Sequence, residues 1–185
     1  PTVSKYLADH GAEVIRIESS TYPEALRRVG PFVNDTPNID GSGYYANFNS
    51  SKLCMSVNFK HPRGPELVRR LVAKCDVVTE SYTPGTMARF GFDYESLSAG
   101  RDDLLMVSIP LYGQTGPWAN FMGYGHVLQA ASGFNHLTGW EDGPPIGTGI
   151  AYTDFLVPHF AAVAVIAALD YRRRTGKGQF IDFSQ

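Results

Sequence analysis

At 185 residues, with 43% hydrophobic and 12% aromatic content, the chain has room for one domain with a substantial core, and disorder is excluded. Its 16 Lys and Arg stand against 18 Asp and Glu, a net charge of -2. They are spread along the chain, which leaves no basic stripe for a nucleic-acid backbone. Cys54 and Cys75 lack metal-ligand spacing, so free thiols in the reducing cytoplasm are expected rather than a disulfide framework.

Pro1 to His10 reads as a helix with Val3, Tyr6 and Leu7 on one face, and Ala12 to Glu18 alternates as a strand does. Ser19 to Gly43 holds Pro23, Pro31 and Pro37 with Gly30, Gly41 and Gly43, and is expected to be a long loop of the kind that often carries function. Cys54 to Phe59 is a second strand. Lys60 follows it where a helix is about to begin, a place suited to a phosphate, although most such lysines are ordinary surface residues. Pro62 to Cys75 places Leu67, Leu71 and Val72 at helical spacing behind an early proline. Asp76 to Ser81 is a third strand, turning through Pro84-Gly85 into a short helix that carries Arg89, for which a solvated surface role is the simpler reading. Leu104 to Pro110, a fourth strand, is apolar on both faces.

Strands separated by helical crossovers predict an α/β fold, a Rossmann-like, mostly parallel sheet with helices on both faces. The irregular stretch Leu111 to His126 then lies at the carboxyl end of the fourth strand, the edge at which such sheets bind ligands. Phe160 to Leu169, the longest apolar run, falls short of the ~20 residues of a membrane span and reads as a buried helix. No secretory pattern opens the chain. No GxGxxG follows a strand, and neither GxxxxGK[ST] nor HExxH occurs, so no nucleotide loop and no metal site is expected.

One carboxylate stands out. Asp154 sits at the mouth of the apolar segment, and since proline fits a helix only near its start, Pro158 predicts that the helix begins around Phe155 to Val157. Asp154 would then be at or just before the cap, and from the residues alone capping outranks catalysis.

The series "ADHGAEVIRIE", "NSSKLCMSVNFKHPRG", "CDVVTESYTPGTMARFGFDYESL", "VSIPLYGQTGPW", "QAASGFNHLTGWEDGPP", "TD" and "AALDYRRRTGKGQFIDFSQ" resembles family III CoA-transferases, the carnitine and formyl-CoA transferase superfamily, in order and close to its spacing over essentially the whole chain. The resemblance implies that Asp154 is the nucleophile of covalent CoA transfer between carboxylic acids, which moves it from cap to reagent. It implies coenzyme A contacts at Val57, Lys60, Ser81, Tyr82, Arg89, Phe90 and Tyr124. Ser81 and Tyr82 replace a more usual Asn-Phe pair. Ser19 stands where many relatives place a basic residue, so Arg16, Arg27 or Arg28 could supply phosphate affinity instead.

α-Methylacyl-CoA racemases belong to the same superfamily and pair the aspartate with a histidine, at the position of Tyr124 here. A phenol with a pKa near ~10 replaces an imidazole near ~6.5 poorly, so transferase outranks racemase. His126, two residues on, enters only through a register slip and otherwise simply opens the next helix, while Gly125 replaces an acidic residue common in relatives. Pro158 stands where a glycine often follows the nucleophile, and Tyr152, Phe155 and Trp140 are the expected acyl-pocket walls. An inactive partner subunit of a heteromeric transferase is the non-enzymatic alternative.

The resemblance further implies that residues 1–185 form an incomplete CoA-binding large domain, a fragment or a split subunit, with the family's first strand upstream and a smaller domain beyond. Such a piece is expected to be inactive alone. The full-length protein is expected to be an interlocked homodimer acting on an acyl-CoA and a carboxylic acid, with no nucleic-acid or membrane partner.

Overall fold

Every pairing between strands in the computed structural model, which describes residues 1–185, is parallel. The strands divide between two sheets, and the chain between two compact units, Pro1–Val68 and Arg69–Gln185.

The first unit contains α1 (Thr2–Asp9), β1 (Ile15–Glu18), α2 (Gly43–Phe48) and β2 (Leu53–Ser56), and α3 (Gly64–Val72) starts within it. β1 and β2 pair from Ile15↔Leu53 to Glu18↔Ser56. On α1 the predicted apolar face forms, with Val3 and Ala8 buried. The long excursion after β1 is ordered rather than loose, because Glu18 anchors it. Arg27 donates to both Glu18 oxygens at 2.8 and 3.1 Å and to Asp40 at 3.0 Å, and the Tyr45 hydroxyl also donates to Glu18. Burial opposes ionisation of Glu18, but these donors outweigh it and bring the carboxyl down to about 2. Ser42 caps α2 by accepting from the Tyr45 N–H at 3.0 Å.

The second unit runs β3 (Val77–Glu80), α4 (Thr86–Arg89), α5 (Tyr94–Ser98), β4 (Leu105–Ser108), α6 (Gly125–Ala131), α7 (Tyr152–Thr175) and β5 (Gln179–Asp182), with strand order β3-β4-β5. β4 is central and buried along its whole length, as its apolar sequence predicts. α7 is the crossover that returns the chain to β5. Its Val157, Ala161, Val165 and Ala168 form a buried stripe, and Ala161 and Val165 are fully enclosed. The small alanines let the helix approach closely.

Two expectations for α7 are corrected. It begins at Tyr152, not at Phe155 to Val157, and Pro158 lies inside it. A proline this close to the start removes only the bond to the carbonyl four residues back, that of Asp154, and the remaining turns of a 24-residue helix absorb the loss. Nor is the helix buried throughout, since Phe160, Val163 and Ile166 on its other side are exposed. By length and composition alone it is apolar enough to cross a bilayer.

Candidate active site

Asp154 is the third residue of α7, and Ala151 is the capping position. Its N–H donates to the Ala151 carbonyl at 2.9 Å, while its carboxylate caps nothing and accepts no hydrogen bond or ion pair from the protein. The site therefore holds a carboxylate in a first helical turn, where the dipole favours an anion, without the side-chain bond that a structural cap makes. The residue as a whole is exposed, but its carboxylate lies against α6 at Gly125. Loss of water there pushes its pKa up from the ordinary 3.8, and the nearby His126 opposes the rise.

The approach to α7 is fixed from α6. Gln129, 1% exposed, donates through Nε2 to Thr148 Oγ1 at 3.0 Å and to the Ile150 carbonyl at 2.9 Å. Gly125, Leu128 and Gln129 share the buried face of α6, so one short helix both seats the carboxylate and holds the chain leading to it. A cavity of about 210 Å³ lies alongside, lined by Tyr112, Trp118, Leu128, Ser132, Thr153 and Gln185 among others. Tyr152, Trp140 and Phe155 are not among its lining residues: Tyr152 stacks on Phe134 at 4.9 Å between ring centres, and Trp140 is 83% exposed.

Sequence reasoning did not find the cluster at the carboxyl edge of β3-β4-β5. Glu80, Ser108 and Asp182 end the three strands in one register row. The Ser108 hydroxyl donates to Glu80, and the Tyr82 N–H does so at 2.7 Å. Gln114 then closes the row. Its Nε2 donates to Ser108 Oγ at 2.6 Å and its backbone N–H to both Asp182 oxygens at 2.9 Å. Burial raises the Glu80 carboxyl above its ordinary 4.5, against the pull of Ser108 and the Tyr82 N–H. The bonds pin the start of the loop that carries Tyr112 and Trp118 to the cavity. The only trace in the sequence was a polar residue closing each apolar strand.

The predicted coenzyme A residues fall in both units: Val57 and Lys60 in the first, Ser81, Tyr82, Arg89, Phe90 and Tyr124 in the second. Val57 is buried and its N–H is given to the Glu18 carbonyl. Lys60 and Arg89 are exposed and have no carboxylate partner. Lys60 lies 5.5 Å from the Tyr22 ring centre, and Arg89 donates to Thr86 Oγ1 at 2.8 Å. By contrast Arg16 and Arg27 are engaged by Glu18, Glu24 and Asp40, while Arg28 stays exposed. Ser81 and Tyr82 are exposed at the end of β3, Phe90 packs near Phe92 at 6.2 Å, and Tyr124 precedes α6, 82% exposed. His126 is the second residue of α6 and a titratable neighbour of Asp154.

The family model for CoA-transferase family III matches residues 1–185. The chain belongs to CoA-transferase family III. Among curated relatives of this family, it is 42% identical over 183 residues to succinyl-CoA:glutarate CoA-transferase of Mus musculus, covering 98% of this chain and 41% of the relative. It is 40% identical over 187 residues to succinate–glutarate CoA-transferase of Agrobacterium fabrum, covering 100% of this chain and 46% of the relative. The crystal structure of a CaiB/BaiF family protein from Brucella suis superposes with a TM-score of 0.90 at 38% identity, over 100% of this chain and 48% of that one. The chain thus spans less than half the length of these family III proteins.

Proposed function

We propose that the protein is a CoA-transferase that moves coenzyme A between carboxylic acids, with Asp154 as the nucleophile. The observation that carries this is the Asp154 carboxylate, which sits unpaired and partly desolvated in the first turn of α7. A carboxylate short of water attacks a carbonyl more readily than a fully hydrated one. Its oxygen adds to the thioester carbonyl, and the C–S bond breaks to give an aspartyl mixed anhydride and CoA thiolate. The thiolate attacks the aspartyl carbonyl, releasing the first acid as its carboxylate and leaving an aspartyl-CoA thioester. The acceptor carboxylate attacks that thioester, expelling thiolate again, and the thiolate takes the acceptor acyl group from the new anhydride. Asp154 is returned as a carboxylate, with charge balanced at every step.

Coenzyme A is held in this reading by Val57, Lys60, Ser81, Tyr82, Arg89, Phe90 and Tyr124, with the unneutralised Lys60 and Arg89 meeting phosphates. The names of the mouse and Agrobacterium relatives make succinyl-CoA with glutarate the first pair to assay. We place residues 1–185 in one CoA-binding large domain, and the full-length protein in the cytoplasm as an interlocked homodimer.

A racemase reading draws support from His126 alone, the histidine close enough to act on the charge of Asp154. Both readings meet one experiment on the full-length protein. Asp154→Asn should lower CoA exchange by ~10³-fold or more, and the native enzyme should release no α-proton to solvent. Deuterium entering the α-carbon of a 2-methylacyl-CoA without CoA exchange would support racemase chemistry and refute the transferase.

A further inference from the structure

A Cβ on Gly125 would lie 2.8 Å from Asp154 Oδ1, 2.9 Å from Asp154 Cγ and 2.7 Å from the Ala151 Cβ. All three are closer than side-chain carbons approach one another in folded proteins. Gly125 has no left-handed φ, unlike Gly113 and Gly133, so backbone conformation does not demand glycine at this position. Room does, and the atoms that need the room belong to the carboxylate and to the residue that caps its helix. Retreat is restricted as well. Leu128 and Gln129, one turn further along α6, are buried, and Gln129 holds the Ile150 carbonyl at 2.9 Å, so α7 cannot slide away without breaking that bond.

We propose that Gly125 is a positioning residue for the reaction: its missing side chain lets the Asp154 carboxylate rest against the α6 backbone, which fixes where it meets a thioester. The inference rests on the reading of Asp154 as nucleophile. Gly125 screens one side of the carboxylate from water and leaves the exposed side for the substrate. A methyl group there displaces the attacking oxygen by a fraction of its own diameter, and misplacement of about 1 Å costs ~10²-fold in rate. Of the proposed coenzyme A contacts only Tyr124 adjoins Gly125, and the others stand on separate elements, so binding is expected to change little.

The test compares Gly125→Ala with the double variant Gly125→Ala/Ala151→Gly in the full-length protein. Removing the Ala151 methyl relieves the backbone-side clash but not the clash with the carboxylate. Gly125→Ala is expected to lower kcat by ~10²-fold with KM for acyl-CoA within about twofold. The double variant is expected to recover thermal stability but not kcat. Recovery of kcat together with stability would overturn the inference, since Gly125 would then serve packing alone. Exchange lost in Asp154→Asn yet intact in Gly125→Ala would overturn the role of Gly125 while leaving the nucleophile in place. Exchange surviving in Asp154→Asn would remove both.

Discussion

If Asp154 is the nucleophile, folding and chemistry make opposite demands on it. A carboxyl whose pKa is raised on folding destabilises the native state as pH climbs from its ordinary 3.8 through the folded value, because the folded chain then holds the proton more tightly than the unfolded one. Asp154→Asn, which keeps the shape and removes the charge, is therefore expected to melt at or above the native temperature at pH 7 while losing CoA exchange, as thermal denaturation and an exchange assay would show. Glu80 has the same sign in a more buried setting. Its destabilising ionisation sets in above its ordinary 4.5 and persists at neutral pH, so Glu80→Gln should melt higher than the native protein at pH 7 and converge with it below pH 4.5. A native protein that melts higher at pH 7 would contradict the assignment of burial as the dominant influence on Glu80. Sequence reading singled out Asp154, but not the close approach of its carboxylate to Gly125, 29 positions away, which is visible in the sequence only as a departure from an acidic residue.

At the scale of elements, apolar alternation and breakers located every strand among β1 to β4, and the buried run Leu105–Ser108 was legible because it is apolar on both faces. The start of α7 was not. Read as a first-turn residue, Pro158 puts the start near Phe155 to Val157, whereas a helix of six turns tolerates it in its second turn. The ends of strands were obscure for a different reason: Glu80, Ser108 and Asp182 are placed by register across three strands, which no local pattern carries. Gly178 shows how tightly that sheet is closed at its other end. Its N–H donates to the Asp102 carbonyl at 2.6 Å, and a Cβ would strike the Leu104 carbonyl. Gly178→Ala should destabilise the fold by about 2 kcal/mol through forced separation of β4 and β5, read as a lower urea midpoint at unchanged slope. A midpoint equal to the native one would show that the edge yields without strain.

Across the whole molecule, charge divides into two populations. Arg16, Arg27, Arg101 and Arg172 are bound by carboxylates and serve the fold, while Lys60 and Arg89 have none. Net charge and composition could not separate them, because pairing is a tertiary property. Motif order, not composition, is what proposes Lys60 and Arg89. If these two meet phosphates, Lys60→Ala and Arg89→Ala should each weaken coenzyme A binding about tenfold in calorimetry, and the salt dependence of binding should become shallower. Arg28→Ala tests the exposed alternative: if Lys60 and Arg89 meet the phosphates, it should leave binding within about twofold. The central claim is covalent transfer through Asp154. It is tested most directly by incubating the full-length protein with succinyl-CoA, quenching with hydroxylamine and searching the digest by mass spectrometry. A hydroxamate on the peptide at Asp154 is the predicted result; complete exchange of CoA with Asp154 unmodified would contradict it.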